Sequence, residues 1–305
     1  MTAPITHDQW KATRAAVRQT GDRFAEMVAT TREPQARATA DWSVADTAAH
    51  VAAIASMYVS VVRPGAVPLP AFAVEDRLLA TTVDTVGELN DLTLRSFTER
   101  DPRLLAHRLR TDIDRLLRVS DGLDPAEPVT WLGGSRVPVA GVLAHLLNEL
   151  LIHGRDIARA IGARWVIPAR DAALFFELFV IGMVRHDVGR LLETDEPPRE
   201  RRIAVEFRSR HTTPVTLVLR DGRVSVEGPG RGADVRLSFD PVTLNLMLFG
   251  RVSRARAALT GKVAVRGRRP WLLPAFLRTV RLPATRYPGP QPGGAPAGAD
   301  AAPAP

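Results

Sequence analysis

The sequence predicts a multidomain protein in which an all-α, four-helix-type bundle is followed by a small α+β domain. Over residues 1–195, apolar side chains recur at the spacings of amphipathic helices, whereas after residue 199 short segments alternate apolar and polar residues as strands do. At 305 residues the chain also exceeds one typical domain. We therefore expect the bundle at 1–195, the α+β domain at 199–283 and a disordered Pro/Ala/Gly tail at 284–305.

The helices of the bundle follow from apolar spacing and from start signals. Residues 6–31 form the first predicted helix. Ser43, with Asp46 three residues later, is a capping box that starts the second, over residues 43–62. Residues 74–119 predict one or two further helices. The remaining segments are a loop at 131–138 and helices at 138–162 and 170–192.

After residue 199 the predicted elements are short. Strands are expected at 202–208, 215–220, 223–227, 234–239 and 262–266. Helical spacing returns at 241–248, around residues 257–259 and at 270–280.

Composition excludes several classes of function. Cysteine is absent, so disulfides, cysteine-ligated zinc and a cysteine nucleophile are excluded. Motifs typical of hydrolases, kinases and dinucleotide-dependent enzymes are absent as well. The N-terminal residues lack a signal-peptide pattern and no long apolar run follows, so we expect no integral membrane segment and a cytoplasmic location.

The net charge of +8 is unevenly distributed. Residues 199–283 carry 18 Lys and Arg against 6 Asp and Glu, whereas residues 1–198 carry 22 against 26. No helix-turn-helix, aromatic RNA-binding strand or zinc-finger spacing accompanies the positive charge, which argues against nucleic-acid binding.

One predicted helix places three metal-competent side chains on one face. His145, Glu149 and His153 recur every fourth residue within an otherwise apolar segment. Residues four apart lie about 5–6 Å from each other, so an adjacent pair can share an ion, whereas the two histidines are about 12 Å apart. Either pair needs another ligand from elsewhere in the chain. His50 on the second helix is a candidate, and Asp46, one turn before it, is a candidate to orient its ring.

A set of two histidines and one carboxylate suits zinc or another divalent ion and leaves coordination positions open for water or substrate. Asp156 follows His153 by one turn, so it is either a supporting partner of that ring or a solvated or capping carboxylate. His145 is interpreted as a core residue, a residue supporting the ligands or a substrate contact rather than as a ligand.

Two segments resemble the metal-binding segments of the mycothiol-dependent maleylpyruvate isomerase family. Residues 42–50, Trp-Ser-Val-Ala-Asp-Thr-Ala-Ala-His, are similar to W-[ST]-V-x-D-x-x-x-H, and residues 149–162 are similar to E-x-x-x-H-x-x-D-x-A-x-A-x-G. The resemblance implies a DinB-like bundle that binds a divalent metal, with zinc expected. It also implies that the ligands are His50, Glu149 and His153.

Residues 199–282 are similar to the sterol-carrier-protein-type domain. The similarity is carried by the run at 233–244 and by Gly250 and Gly261, eleven residues apart. It implies a small α+β sandwich with an apolar groove or tunnel that can hold a hydrophobic ligand.

The family resemblance implies an enzyme that uses mycothiol, or a similar small thiol, on a small electrophile. A bound divalent ion would lower the pKa of the thiol, and the thiolate would add to a double bond, then leave after rotation or stay attached. Arg77 is a candidate counterpart of the arginines with which such isomerases hold a dicarboxylate. The alternative function is a non-catalytic hydrophobic-ligand or lipid-binding protein acting through its positively charged C-terminal domain.

Overall fold

The computed structural model describes residues 5–65, 75–193, 201–230 and 232–281. The predicted boundary at residues 195–199 and the predicted tail at 284–305 lie outside these residues. Within them, a helical N-terminal part is followed by a smaller part that contains a sheet, as the sequence predicts.

The N-terminal helices begin and end close to the predicted positions. In chain order they are α1 (His7–Thr30), α2 (Val44–Val62), α3 (Glu75–Ala80), α4 (Val86–Ser96), α5 (Pro102–Val119), α6 (Val139–Ala160), α7 (Ala169–Leu174) and α8 (Ile181–His186). Residues 74–119 therefore hold three helices rather than one or two. The last of them starts sharply because Asp101 accepts hydrogen bonds from the backbone N–H groups of Arg103 and Leu104, with Pro102 in the first turn.

Four long helices form the bundle. Helices α1 and α2 each pack against α5 and α6, which confirms the predicted four-helix-type arrangement. Phe24, Tyr58, Leu109 and Leu147 are among the large side chains that the bundle buries almost completely. Burial of one side chain of this size contributes about 1.5–3 kcal/mol, so the apolar helix faces account for the stability of the arrangement.

Helix α2 is the most apolar helix of the core. Among the described helices, it alone is long and apolar enough to cross a membrane, yet 83% of that segment is buried inside the protein. Its apolar character is therefore explained by its central place in the bundle.

Two short strands, β1 (Pro128–Thr130) and β2 (Arg136–Pro138), pair antiparallel before α6, and β2 lies within the segment 131–138 that is predicted as a loop. The expectation of an entirely helical N-terminal part is wrong here, because strands of three residues are too short to show a period. Gly133 between them has a φ of 66°, and a Cβ at this position would lie 2.7 Å from the carbonyl oxygen of Thr81. This turn therefore requires glycine.

The helix predicted at 170–192 is interrupted. Residues Phe175–Val180 form a π-helical turn between α7 and α8, and the helix ends at His186. The Arg136 backbone N–H donates to the carbonyl oxygen of Asp187 at 2.8 Å, so the chain leaves the helix to extend the β1–β2 pair. A π-helical turn shifts the helix face by about one residue, which periodicity alone does not reveal.

The C-terminal part is a five-stranded sheet with helices on one face. Its strands are β3 (Ile203–Ser209), β4 (Thr212–Arg220), β5 (Arg223–Glu227), β6 (Val235–Phe239) and β7 (Val263–Arg266). The strand order is β5-β4-β3-β6-β7, with β3 and β6 parallel and the other neighbours antiparallel. Its helices are α9 (Pro241–Leu248), α10 (Arg254–Leu259) and α11 (Leu273–Thr279).

The two parts share packed surfaces. Phe176 and Ile181 of the helical part belong to the same buried cluster as Val205 of β3 and Phe276 of α11. The sheet therefore lies against the π-helical region, close to the end of the bundle where the functional side chains lie.

Candidate metal centre

Helix α2 holds His50 at a fixed position in the bundle. Its N-terminus is a capping box, in which Ser43 Oγ accepts from the Asp46 backbone N–H and the Asp46 carboxylate accepts from the Ser43 backbone N–H. His50 lies one turn further along and is 4% exposed. Its ring points toward α6.

Helix α6 supplies the other two side chains. Glu149 and His153 are 8% and 7% exposed, and they face His50 across the contact between α2 and α6. One nitrogen of each histidine and one oxygen of Glu149 all lie within 4.8 Å of one another. The structure thus brings together the three residues that the sequence selects.

The distances within this set fit a small divalent ion. Glu149 Oε2 lies 3.4 Å from His50 Nε2 and 3.3 Å from His153 Nε2. For ligand bonds of about 2.0–2.1 Å, two ligand atoms of a tetrahedral site lie about 3.3–3.4 Å apart. The set could therefore hold a metal ion, and three protein ligands would leave a position open for a substrate atom.

The charges of the three side chains suit a cation. Burial would raise the pKa of Glu149, but hydrogen bonds to His153 and His50 hold it well below its ordinary value, so the carboxylate is ionised. Burial lowers the pKa of His50, which keeps that ring neutral near pH 7. Burial also opposes charge on His153, but Asp156 and Glu149 raise its pKa above the ordinary value. The raised pKa therefore favours a proton on His153 when no cation is bound.

Trp42, the residue before the cap of α2, covers the two histidine rings. Its ring centroid lies 4.7 Å from that of His50 and 6.0 Å from that of His153. The Trp42 ring excludes water from one side of the His50 and His153 rings. Its contacts with both rings also restrict their orientation. This contact gives a physical role to the tryptophan of the sequence motif.

Asp156 lies beside His153 and is itself held by the C-terminal part. His153 Nδ1 lies 3.3 Å from Asp156 Oδ2, although the hydrogen-bond geometry is not met and Nδ1 has no hydrogen-bond partner among the described residues. The same Asp156 oxygen accepts from Arg251 Nη2 at 2.7 Å, and the side chains of Arg251 and Asp156 are only 4% and 3% exposed. Asp156 is therefore buried and paired rather than solvated, and its role as a supporting partner of the His153 ring stays a prediction.

The predicted role of Asp46 is wrong. Its carboxylate accepts from Ser43 Oγ at 2.7 Å and from Arg100 Nε at 2.7 Å. His50 Nδ1 has no hydrogen-bond partner among the described residues. A carboxylate in the first turn of a helix has backbone N–H donors close by, and here Arg100 adds a further donor. The Asp46 carboxylate therefore binds these donors and not the His50 ring one turn further along.

His145 is held outside the three-residue set by a chain of hydrogen bonds. Trp131 Nε1 donates to Tyr58 Oη at 3.1 Å, and Tyr58 Oη lies 2.9 Å from His145 Nδ1. Burial raises the pKa of Tyr58 well above its ordinary value and lowers that of His145, so both groups are neutral. A neutral Tyr58 hydroxyl can donate to a neutral His145 Nδ1, and in that tautomer His145 Nε2 carries the proton. His145 Nε2 faces Glu149 Oε1 at 3.7 Å.

One cavity of about 1060 Å³ connects these side chains with the C-terminal part. His50, Glu149, His153 and His145 form part of its wall together with Trp42. The rest of the wall is largely apolar and includes residues of the π-helical turn, α9 and α11. The three-residue set therefore opens onto a space large enough for a thiol and a second molecule.

Arg77 is not part of this arrangement. It lies exposed on α3, and it does not contribute to the cavity wall formed by the described residues. Its proposed role in holding a dicarboxylate stays a prediction.

Several residues of the site have no signal in the sequence. Arg251 follows the turn after α9, and Asn245 of α9 donates to the Asn148 side chain on α6 at 3.0 Å. Tyr58 is spaced as an ordinary core residue of α2. Their partners lie on elements distant in sequence, so local periodicity gives no indication of these contacts.

Fold and site together define a helical bundle with a buried two-histidine, one-carboxylate candidate metal centre and a small sheet domain against it. Residues 14–158 match the family model described as "Mycothiol maleylpyruvate isomerase N-terminal domain". This match lies within the helical part and covers 145 of the 305 residues, and it confirms the resemblance found in the sequence for that part of the chain.

Solved structures give a distant likeness. The crystal structures of the mycothiol-dependent maleylpyruvate isomerase and of one of its histidine-to-alanine mutants are each 13% identical to this chain and cover 84% of it, with 92% of their own chains aligned. The TM-scores are 0.47 and 0.48 respectively. A search of curated proteins gave no match. The likeness to the family therefore depends on the sequence match over residues 14–158.

Proposed function

We propose that this protein is an enzyme that uses mycothiol, or a similar small thiol, on an electrophilic substrate with the help of a divalent metal ion. Isomerisation and S-transfer are the two reactions considered, and zinc is the expected ion. The observation that carries the proposal is the buried set of His50, Glu149 and His153 at the end of a large cavity, within the segment that matches the isomerase domain model.

The chemistry of the donor set supports a metal. Two neutral nitrogen donors and one carboxylate bind a divalent ion with a net positive charge left on the site. When bound, such an ion would hold a thiol as its thiolate at neutral pH, which supplies the nucleophile for addition to an electrophilic carbon.

The residues around the set provide positioning and exclude water. Asp156 and Trp42 hold the imidazoles, and the walls next to His145 are aromatic, with the Phe179 ring centroid 4.6 Å from that of His145. His145 presents an N–H beside Glu149, where it can donate a hydrogen bond to a carbonyl or enolate oxygen. Holding thiol and electrophile together in this space is the main contribution expected of the protein.

The test measures metal per chain by elemental analysis, on protein purified without chelator or metal-affinity resin. Wild type is expected to hold about one equivalent, and His50→Ala and Glu149→Ala are expected to lose it. His107→Ala, at an exposed position of α5, is the matched control. Circular dichroism of each variant separates loss of metal from loss of fold.

The outcome decides between the two functions considered. Mycothiol-dependent conversion of an α,β-unsaturated carbonyl by wild type and not by His50→Ala, either to its isomer with the thiol regenerated or to an S-conjugate with the thiol consumed, would support the enzyme. Stoichiometric metal in both ligand variants, or no metal after zinc is added to wild type, would rule out the assigned centre. The alternative function would then be tested, in which the chain is a non-catalytic hydrophobic-ligand or lipid-binding protein that acts through its C-terminal part. The sterol-carrier-type assignment of that part and a cytoplasmic location remain predictions.

A further inference from the structure

The cavity extends well beyond the candidate metal centre. Its far wall consists of half-buried apolar side chains from three separate helical segments: Val180 and Val184, Met247 and Leu248, and Leu277 and Val280. The first pair belongs to the π-helical turn and α8, the second to α9, and the third lies on α11 and directly after it. Because these apolar side chains come from separate elements and face the same space, they form an apolar surface that can bind a ligand.

The charged groups of the wall do not favour a small dianion. Among the described wall residues, Arg251 is paired with Asp156 and Arg281 with Asp84, while Arg254 is exposed to solvent. A dicarboxylate needs two cations close together that are not already engaged by protein carboxylates. The volume of about 1060 Å³ is at the upper end of the range of about 300–1000 Å³ for drug-sized ligands, so the cavity has room for more than a small electrophile alone.

We propose that the cavity is the binding site of a neutral molecule with an elongated hydrocarbon body, whose polar head lies at the His50–Glu149–His153 set and whose body lies along α8, α9 and α11. This inference rests on the proposed function in one respect, since the molecule is taken to be the electrophile on which the thiol acts. The apolar wall provides most of its affinity, because hydrophobic contact scales with the area removed from water.

A series of unreactive ketones tests the site without the thiol chemistry. Butanone, octan-2-one and dodecan-2-one carry the same neutral head and differ only in length. Trp42 and Trp131 line the cavity, so their fluorescence reports binding. We expect Kd to fall about fourfold for each methylene that becomes buried, up to the length of the cavity. Equal affinity for the three ketones would overturn the proposal.

Substitutions of the far wall locate the site. Leu277→Trp fills the wall and is expected to weaken the binding of dodecan-2-one by about tenfold or more, with little effect on butanone. Met247→Trp does the same from α9 if the first variant does not fold. Leu259→Trp is the matched control, since Leu259 on α10 is 88% exposed and does not contribute to the wall. Unchanged dodecan-2-one binding in folded wall variants would contradict the assignment.

The same titration on folded His50→Ala separates this inference from the proposed function. The dependence on chain length is expected to persist there, because the apolar wall does not include the histidine. Its disappearance would overturn the inference. Absence of metal, or of any mycothiol-dependent conversion of the electrophile in wild type, together with preserved chain-length dependence, would instead overturn the proposed function and leave the apolar site standing.

Discussion

Arg251 and Asp156 form a buried ion pair that joins the C-terminal part of the chain to the helix carrying Glu149 and His153. Arg251 Nη2 lies 2.7 Å from Asp156 Oδ2, and Asp156 Oδ2 lies 3.3 Å from His153 Nδ1. Through Arg251, the sheet domain therefore pairs with the carboxylate that lies next to a candidate metal ligand. Contacts of this kind explain why the two parts pack closely rather than being joined by a linker alone.

Loss of the Arg251 guanidinium is expected to destabilise the protein strongly. Arg251→Leu leaves the Asp156 carboxylate buried without its cation, which costs about 3–5 kcal/mol of unfolding free energy. Arg18→Ala is the control, since the Arg18–Asp114 pair has side chains 53% and 43% exposed and contributes at most about 1 kcal/mol. Urea unfolding followed by circular dichroism measures both. Similar losses in the two variants would contradict the importance of the buried pair.

Stability should also depend on acid pH through this pair. Burial would raise the pKa of Asp156, but His153 and Arg251 lower it below the unfolded value, which is close to 3.8. The stabilisation is therefore present above that value and is lost as pH falls through the lower folded pKa. Arg251→Leu should show a smaller dependence of stability on pH in this acid range, as measured by unfolding at a series of pH values.

Metal binding should release protons near neutral pH. Because the pKa of His153 is raised, this ring keeps its proton to a higher pH than its ordinary pKa of 6.5 would allow in the metal-free protein. A metal ion that binds to the ring must displace that proton. Zinc affinity is therefore expected to increase as pH rises through that pKa. Calorimetry at pH 7 in buffers of different ionisation enthalpy counts the protons released.

The variant Asp156→Asn is the companion to this measurement. It removes a carboxylate that raises the pKa of His153, so fewer protons should be released at pH 7. Metal binding without proton release in wild type would show that His153 is not displaced from a protonated state.

Tyr58→Phe is expected to disturb His145 while leaving the three-residue set in place. The hydroxyl is 2.9 Å from His145 Nδ1 and accepts from Trp131 Nε1, so its removal leaves two partly buried polar atoms without this partner. The cost is about 1–3 kcal/mol. Nitrogen NMR of the histidines should show the His145 tautomer change, while metal content stays near one equivalent. An unchanged tautomer would contradict the proposed chain of hydrogen bonds.

Gly154 on α6 is required by the close approach of Trp165. A Cβ at this position would lie 2.2 Å from a Trp165 ring atom, and Trp165 is further held by its Nε1–H bond to the Leu151 carbonyl oxygen. Gly154→Ala is therefore expected to destabilise by about 1–3 kcal/mol despite the better helix propensity of alanine. Gly87→Ala on α4, where the added methyl meets no atom within 4 Å, should be neutral or slightly stabilising. Thermal unfolding of both variants compares them directly.

The sequence determined the helices of the bundle, because apolar spacing and the Ser43–Asp46 capping box are local signals. Residues four apart on one helix share a face, which left the pairs His145–Glu149 and Glu149–His153 open, and the resemblance to the family segments then indicated His50, Glu149 and His153 as the ligands. The cysteine-free composition ruled out disulfides and cysteine-based chemistry from the protein itself.

Only the tertiary structure decided which groups support these ligands. Asp46 accepts hydrogen bonds from Ser43 and Arg100 and none from His50. Asp156 pairs with Arg251, which is 95 residues away in the sequence. Tyr58 forms a hydrogen bond with His145. The cavity likewise has walls from both parts of the chain. Hydrogen bonds and buried ion pairs act over short distances, so they form only between surfaces that are in contact. Which surfaces are in contact depends on the packing of whole helices and strands and not on local residue patterns.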